Sequence, residues 1–319
     1  METVDSLDTL LIASEDLYLR IDKLLAEKYP DYSRTYFQNL LDKGHVLVNG
    51  SRCKKRQMLN LGDEVEVCFE LPSEIPLDPE DIPLEILYED AYIIIVNKPP
   101  GMVVHPAVGN PNHTFVNALL FHCKGLPIDP QAPLRPGIVH RLDKNTSGAL
   151  VAAKTSQAHR GLVELFSHRK VIKTYKALCL NTPSEGTITT QLKRHPSKRQ
   201  EMAVCTQGGK TAITQVKVCA KNSKTSLVQL QLITGRTHQI RVHLKHLGCP
   251  ILGDPVYGSK SVNQQLNIER QLLHAETLSF THPVTQAQVF VEAPMPQDME
   301  SWIQKLYTLS AGPIKNPLD

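Results

Sequence analysis

One carboxylate stands alone in the most basic part of this 319-residue chain. Asp143 lies in the run His140-Arg141-Leu142-Asp143-Lys144, and no other acid occurs between Asp129 and Glu164. Neighbouring cations favour the ionised form of a carboxylate, so this side chain is expected to carry its charge near neutral pH. Such an anion repels phosphate and is badly placed to bind it. The residues alone leave two readings open: Asp143 organises salt bridges, or it acts as a nucleophile or base.

The charge of the chain is divided unevenly along its length. Residues 135–245 hold 20 Lys or Arg against 4 acids, whereas the rest of the chain holds 15 against 28. An imbalance of this size over one stretch favours a polyanionic partner over an ordinary solvated surface. The sequence therefore predicts that residues 135–245 bind nucleic acid.

Several classes of protein are disfavoured by the composition. The 7 cysteines are odd in number and include no CxxC pair, which argues against a disulfide framework and a zinc ribbon. Gly209-Lys210-Thr211 is not the end of a phosphate-binding loop, because Val204 stands where that loop needs its first glycine. His238, His243 and His246 do not share one helical face, and no acid or cysteine completes a ligand set, so no metal is predicted.

Apolar periodicity predicts both helices and strands around the candidate residues. Strands are predicted over 84–88, 92–96, 148–153, 174–180, 226–232 and 289–292, and helices over 114–122, 157–169 and 237–247. One of these strands contains three consecutive isoleucines, as expected of a strand that is buried on both faces. The mixture disfavours an all-α or all-β protein and predicts an α+β fold.

Changes in composition divide the chain into four parts. Residues 1–16 are acidic, lack the basic flank and apolar stretch of a signal peptide, and are expected to form a flexible leader. Residues 17–76 are predicted to form a compact α/β module. Four prolines between positions 72 and 83 cannot continue a helix or lie in a central strand, so residues 77–83 are predicted as a linker. Residues 84–319 then form the large domain.

The small module has clear local signals. Ile21, Leu24 and Leu25 share one face of a first helix, and Ser33 is the expected cap of a second. Asn49-Gly50 is the strongest two-residue signal for a β-hairpin. The module resembles the S4 RNA-binding domain in segments 20–25, 33–38, 44–50 and 62–63. That resemblance implies RNA binding, with phosphate contacts expected from Arg34, Lys54 and Lys55.

The run around Asp143 resembles HRLDxxTSG, the catalytic motif of the RluA family of pseudouridine synthases. Other motifs of that family match in the same order after Pro83, in segments 97–101, 104–106, 173–178, 194–196, 202–204, 234–243, 250–258 and 273–275. The family usually has an acid where Asn145 stands here, and no loss of chemistry is expected from this difference. The resemblance implies a pseudouridine synthase fold, with a mixed, largely antiparallel sheet and a central catalytic cleft.

The resemblance implies catalytic roles for three residues. Asp143 would be the essential carboxylate, which either attacks the substrate covalently or removes a sugar proton to give a glycal. Arg241 would be its salt-bridge partner, holding it ionised and aimed, with phosphate binding as the alternative role. Tyr175 would pack against the uracil and assist loss of the C5 proton, with core packing as the alternative.

Further residues are expected to bind the substrate. Arg141 would enter the space that the flipped nucleotide leaves, and a surface phosphate contact is its alternative role. His140, Arg236 and His238 lie in the same motifs and are candidate RNA contacts. The reaction oxidises nothing and imports no group, so no cofactor, nucleotide or metal is expected.

The resemblance thus predicts an isomerase that converts uridine to pseudouridine in a stem-loop of 23S ribosomal RNA. The expected substrate is the large-subunit RNA, free or in an assembling particle, and the expected setting is a monomer in the cytoplasm without a membrane contact. Two alternatives remain open. The chain could act on another RNA or as an RNA N-glycosidase, which would release free uracil, or it could be an RNA-binding protein of ribosome assembly without activity.

Overall fold

A computed structural model describes residues 6–17, 19–29, 34–69, 77–107, 110–128, 132–198 and 201–310. The chain divides into two compact units, Met1–Pro76 and Leu77–Asp319. No helix within the described ranges combines the length and the apolar character needed to cross a membrane.

The first unit is a four-stranded antiparallel sheet with two helices. Its elements are β1 (Ser6–Leu11), α1 (Ile21–Lys28), α2 (Arg34–Lys43), β2 (Val46–Val48), β3 (Ser51–Arg52) and β4 (Glu64–Phe69). The strand order is β1-β4-β2-β3, and the apolar faces of both helices fill one core with the inner face of the sheet. The predicted helices and hairpin are present, although Ser33 lies outside the described residues.

The prediction of a flexible leader is wrong for the segment from Ser6 onward. Residues Ser6–Leu11 pair with Glu64–Phe69 along the whole length of β4 and form an edge of the sheet. Ile12 is buried behind this strand, and Asp16 forms an ion pair with Lys28 at 2.8 Å. The acidic composition of residues 1–16 does not predict this strand, because the strand is stabilised by main-chain pairing with β4, which is distant in sequence.

The second unit is built on a 10-stranded mixed sheet in the order β10-β9-β11-β12-β8-β13-β7-β6-β5, with β14 paired to β13. The strands are β5 (Ile86–Glu89), β6 (Ile93–Lys98), β7 (Ser147–Ala153), β8 (Ile172–Leu180), β9 (Gly186–Arg194), β10 (Met202–Cys205), β11 (Lys210–Lys221), β12 (Thr225–Leu232), β13 (Leu273–Thr281) and β14 (Gln288–Glu292). The helices are α3 (Phe115–His122), α4 (Ser156–Ser167), α5 (Gln239–His246), α6 (Lys260–Leu266) and α7 (Gln297–Ser310). Only the pairing of β13 with β7 is parallel among the strand pairs described, so the predicted α+β fold with a largely antiparallel sheet is confirmed.

Strand β6, the neighbour of the edge strand β5, separates two hydrophobic cores. Ile94 and Val96 belong to one core, and Ile93 and Ile95 belong to the other. All four side chains are at most 1% exposed, which is the pattern predicted for a strand buried on both faces. Burial stabilises the fold by roughly 1.5–3 kcal/mol for each such side chain. This buried strand forms a rigid base for the neighbouring β7, which follows the Asp143 loop.

The segment predicted as a linker packs against the second unit. Asn117 of α3 donates a side-chain hydrogen bond to the Asp78 carbonyl at 2.8 Å, and its own carbonyl accepts from the Glu80 N–H at 3.0 Å. The Glu80 carboxylate accepts from the His113 N–H at 2.8 Å. Residues 77–83 therefore belong to the large unit. Their prolines prevent regular strand or helix pairing, and Asn117 of α3 instead hydrogen bonds to the main chain of this segment.

Candidate active site

A cavity of about 420 Å³ opens beside Asp143. Its wall comes from the loop before β7, from the end of α4 with the start of β8, and from the segment that joins β12 to α5. Asp143 is the one acid among its described lining residues, whereas five lining residues are cations: Arg141, Arg169, Lys173, Arg236 and Arg241. The cavity therefore combines a single carboxylate with a cationic wall.

A buried lysine holds the Asp143 loop from below. Lys98 at the end of β6 is fully buried, and its ammonium donates to the carbonyls of Pro99, Met102 and Lys144 at 2.7, 3.0 and 3.1 Å. Desolvation lowers the pKa of Lys98 to about 7, although the nearby charge of Asp143 acts in the opposite direction. All three ammonium donors are used by the main chain, so Lys98 fixes the backbone next to Asp143.

The loop reaches β7 through an unusually close strand contact. Gly148 has φ +114°, and a Cβ at this position would lie 2.2 Å from the Ala275 carbonyl oxygen on β13. Only glycine permits this approach. Beside it, Ser147 donates to His274 Nδ1 at 2.9 Å, and His274 Nε2 donates to the Ala293 carbonyl at 3.0 Å. These contacts fix where the Asp143 loop enters the sheet.

Arg241 joins Asp143 to a second carboxylate. Its Nη1 donates to Asp143 Oδ2 at 2.9 Å, while Nε and Nη2 donate to the two oxygens of Asp254 at 2.7 and 2.9 Å. Burial alone would lower the pKa of Arg241, but the hydrogen bonds and charges of Asp254 and then Asp143 raise it. The guanidinium therefore stays charged and points one N–H at the candidate catalytic oxygen.

The sequence analysis predicted no catalytic or binding role for Asp254. It is 1% exposed, and Oδ1 also accepts the main-chain N–H groups of Val256 and Tyr257 at 2.9 Å each. These bonds hold the carboxylate rigidly against Arg241. The sequence shows an aspartate within the 250–258 motif, but nothing in the sequence connects that residue with Arg241.

Helix α5, which carries Arg241, is anchored to the sheet by a chain of hydrogen bonds. Gln239 Nε2 donates to the Thr214 hydroxyl at 2.9 Å, and His243 Nδ1 lies 2.9 Å from the same hydroxyl. His243 Nε2 lies 2.9 Å from the Thr190 hydroxyl. Burial lowers the pKa of His243 to about 4, which matches a neutral ring in this chain.

Tyr175 lies on β8 and lines the cavity with its ring. The residue is 7% exposed, and burial raises its pKa, followed by the nearby negative charge of Asp143. Among the described residues no group hydrogen bonds to its hydroxyl. A neutral phenol is therefore available to a bound molecule, and the ring also packs in the core below the cavity.

Arg141, Arg236 and His238, the expected substrate contacts, line the cavity and differ in the contacts that they already make within the protein. Arg141 is exposed, and Arg236 donates to the Thr211 carbonyl at 3.1 Å. His238 Nδ1 lies 2.8 Å from the Tyr257 hydroxyl, and its Nε2 lies 4.0 Å from Asp143 Oδ2. Burial lowers the pKa of His238. The structure thus places these side chains around the carboxylate.

His140, another expected RNA contact, lies at the cavity wall with one ring nitrogen already engaged by the sheet. Its Nε2 accepts the Val151 N–H of β7 at 3.0 Å, and its ring stacks on Phe166 with centroids 4.6 Å apart. Burial lowers the pKa of His140 to about 3. The ring therefore shapes the cavity wall, because one nitrogen is engaged by the sheet and one face is covered by an aromatic ring.

The cations expected to bind RNA in the first unit are also partly engaged. Arg34 donates twice to Asp22 at 2.7 and 2.9 Å, and Lys55 forms an ion pair with Asp42. Asp22 is fully buried; burial would raise its pKa, but hydrogen bonds from Gln38 and Arg34 hold that pKa below its usual value. Lys54 is exposed and has no acidic partner in the described part of the chain.

One group of three potential metal ligands occurs among the described residues, and it lies outside the cavity lining. Glu89, His122 and Cys123 have ligand atoms within 4.8 Å of one another. Glu89 already pairs with the Lys154 ammonium at 2.6 Å and with His122 at 2.9 Å. This group is accounted for as an ion-pair cluster between the ends of β5 and α3.

Comparison with known families gives the class of protein to which this mixed sheet and its cationic cavity belong. Residues 92–246 match the family model of RNA pseudouridylate synthase, and residues 19–65 match the S4 domain. The structure is similar to that of human RNA pseudouridylate synthase domain containing 4, with a TM-score of 0.53 and 27% identity, covering 70% of this chain and 93% of that one.

Curated relatives make the assignment firmer. The chain is 40% identical to ribosomal large subunit pseudouridine synthase D of Escherichia coli (strain K12) over 308 residues, which is 93% of each chain. It is 43% identical to the uncharacterized RNA pseudouridine synthase YlyB of Bacillus subtilis (strain 168) over 289 residues, covering 90% of this chain and 94% of that one. This chain therefore belongs to the RNA pseudouridylate synthase family and is an isomerase with an N-terminal S4 domain.

Proposed function

We propose that this chain converts specific uridines of large-subunit ribosomal RNA to pseudouridine, with Asp143 as the essential carboxylate. The observation that carries the proposal is the 2.9 Å ion pair between Arg241 and Asp143 at the cavity wall. Several relatives are named for activity on the ribosomal large subunit, which supports this RNA as the substrate. The S4 domain supports recognition of structured RNA by the same chain.

The reaction rearranges bonds within one nucleotide. The bond from C1′ to N1 of uracil breaks, the freed ring turns, C1′ bonds to C5, and the C5 proton is transferred to solvent while N1 gains one. Atoms and electrons balance without a cofactor or a nucleotide. The target must leave its base stack, at a cost of a few kcal/mol.

Asp143 acts on the sugar of the flipped nucleotide in this proposal, as nucleophile at C1′ or as base toward a sugar proton. Arg241 is its positioning residue, because a guanidinium bound to Asp254 on one side directs the remaining N–H to Asp143. Tyr175 packs against the uracil and presents its neutral phenol during loss of the C5 proton. Arg141, exposed beside the cavity, occupies the place that the flipped nucleotide leaves.

The remaining partners follow from the same arrangement. We propose that His238 and Arg236 contact the nucleotide and that the S4 domain, residues 17–76, adds a phosphate contact through Lys54. The chain is proposed to act as a monomer. The proposed substrate is the RNA itself or the assembling subunit that contains it, and the proposed location of the reaction is the cytoplasm.

The direct test of the proposal is the product formed from an RNA stem-loop. Wild-type protein should convert its target uridine to pseudouridine without added cofactor, and Asp143→Asn should bind the same RNA with nearly unchanged affinity but form no pseudouridine. Nucleoside analysis by mass spectrometry measures both outcomes. Free uracil as the main product would identify an N-glycosidase, and unchanged turnover by Asp143→Asn would remove the carboxylate from the mechanism.

A further inference from the structure

Part of the cavity wall has no role in the mechanism described above. It consists of Phe166, Ser167, Arg169 and Lys173, which come from the end of α4 and the start of β8. We call these four residues the α4–β8 wall. Two of the four are cations, and both face the same cavity as Asp143.

The local fold explains why both cations reach the cavity. Arg169 has φ +59°, and its N–H donates to the Phe166 carbonyl at 3.2 Å, so the chain turns sharply at the end of α4. Lys173 and Tyr175 are two positions apart on β8 and project from the same side of the strand. The ammonium is thus presented beside the ring that is proposed to contact the uracil.

Lys173 is half-buried without a compensating negative charge. Its Nζ lies 5.2 Å from the centroid of the Phe166 ring, which is itself held by stacking against His140. In the described ranges no carboxylate lies within ion-pair distance of Lys173 or Arg169. Desolvation lowers the pKa of Lys173. A desolvated cation without a counter-charge is unfavourable until an anion pairs with it.

We propose that Lys173 and Arg169 form a phosphate subsite that holds the RNA backbone next to the flipped uridine. This inference rests on the proposed function, because the anion is a phosphodiester of the same RNA. Two residues of strand span about 7 Å, so an anion at Lys173 lies within about one nucleotide of a base that contacts Tyr175. Phosphate contacts set the position of a nucleic acid, whereas base contacts select the sequence.

The proposal differs from a purely structural role for Lys173. If its ammonium served only to pack on Phe166, the substitution Lys173→Met would act through the fold, and its effect would not depend on any particular phosphate. If the ammonium binds a phosphate, removing the Lys173 ammonium and removing the charge of that phosphate should abolish the same interaction. A double-mutant cycle between protein and RNA separates the two.

The experiment uses the full chain and a stem-loop RNA in which single linkages near the target uridine are replaced by uncharged methylphosphonates. Lys173→Met should lower kcat/KM on the unmodified RNA by about 10- to 100-fold, the range for loss of one charged hydrogen bond. One methylphosphonate should lower the wild-type rate similarly and have little further effect on Lys173→Met. Lys170→Met is the matched control, because Lys170 belongs to the same basic run but is exposed and outside the cavity lining.

Two outcomes would overturn the subsite. One is a Lys173→Met effect equal to that of Lys170→Met, and the other is a loss that adds fully to that of every methylphosphonate tested. Should Lys173→Met fold poorly, Arg169→Met supplies the same cycle from an exposed position. If wild-type protein forms no pseudouridine, the proposed function fails instead, and the same cycle is then measured as RNA affinity in the Asp143→Asn background.

Discussion

At the level of single residues, the position of the Asp143 carboxylate depends on the geometry of one guanidinium, that of Arg241. Arg241 makes three directed hydrogen bonds to two carboxylates, and a planar fork of N–H groups is what such a contact requires. Asp254 fixes the guanidinium from behind, and its own oxygens are fixed by main-chain N–H groups. The orientation of the Asp143 carboxylate is therefore set by buried groups behind it.

The first prediction concerns Arg241→Lys. An ammonium keeps the charge but cannot reach both carboxylates in the same directions, so the single-turnover rate should fall by about 10- to 100-fold. RNA affinity should change little, because Arg241 is buried beneath the cavity surface. Rapid-quench measurement of pseudouridine gives the rate, and filter binding gives the affinity.

Arg160→Lys is the matched control for that experiment. Arg160 is exposed on α4 and lies outside the cavity lining, so this change should leave the single-turnover rate near that of wild type. Equal losses in the two variants would show that the directed bonds of Arg241 have no special importance.

At the scale of elements, the site depends on how α5 is fastened to β9 and β11. The chain from Gln239 through Thr214 to His243 and Thr190 links α5 to β11 and β9 by hydrogen bonds to a buried ring. Burial disfavours the charged form of His243. This network should therefore make the fold sensitive to acid.

The pH dependence follows from the pKa of His243, which burial lowers to about 4 in the folded protein. In the unfolded chain it is about 6.5. Between these values the unfolded chain binds a proton that the folded protein does not, so the free energy of unfolding falls as the pH falls. The contribution between pH 7 and pH 5 is about 2 kcal/mol. Urea unfolding of wild type and His243→Gln at both pH values measures it.

His246→Gln provides the comparison for that measurement, because His246 lies exposed on the same helix. It should lose as much stability between pH 7 and pH 5 as wild type does, whereas His243→Gln should lose about 2 kcal/mol less. If all three proteins lose the same amount, His243 does not link α5 to acid stability.

The sequence predicts elements well where their own residues determine burial. The helix expected over 237–247 is observed at Gln239–His246, and the triple-isoleucine strand is observed at Ile93–Lys98. The strands at Gly186–Arg194 and Lys210–Lys221 were not predicted. Along Gly186–Arg194 only one residue, Leu192, is buried, so apolar periodicity is absent. Such strands form because neighbouring strands supply main-chain partners, which a local pattern does not contain.

The same limit applies to the site. Asp143 stands out by its charge environment, and family motifs connect it with Arg241, whose Nη1 lies 2.9 Å from it. Asp254 and the engagement of His140 and Arg34 were not predictable, because each depends on contacts between segments far apart in sequence. The charge pattern of the sequence indicates which residues could form the site. The fold determines which of their charged groups are already paired with other residues of the protein.

At the scale of the whole molecule, the basic residues are concentrated where the cavity lies. Residues 135–245 carry 20 Lys or Arg against 4 acids, and this stretch contains β7 to β12 with α4 and α5. In the first unit, by contrast, described cations such as Arg34 and Lys55 pair with acids of the same unit. Most of the attraction for RNA is therefore expected from the second unit.

That distribution predicts a strong dependence of RNA affinity on salt. Each phosphate contact adds about 0.7–0.9 to the slope of log affinity against log salt, so several contacts should lower affinity about tenfold or more between 50 and 200 mM salt. Lys54→Gln should reduce the slope by about one contact. Fluorescence anisotropy over a salt series provides the slopes, and a flat series for wild type would contradict binding through the basic stretch.

Asp143, held by Arg241, is proposed to form pseudouridine in large-subunit ribosomal RNA. The most direct test of this proposal is a map of pseudouridine in 23S RNA from cells that lack the gene and carry either the wild-type gene or the Asp143→Asn variant at equal protein levels. We predict that specific pseudouridines disappear on deletion, return with the wild-type gene and stay absent with Asp143→Asn. Sites that persist in the deletion strain, or that return with the variant, would contradict the claim.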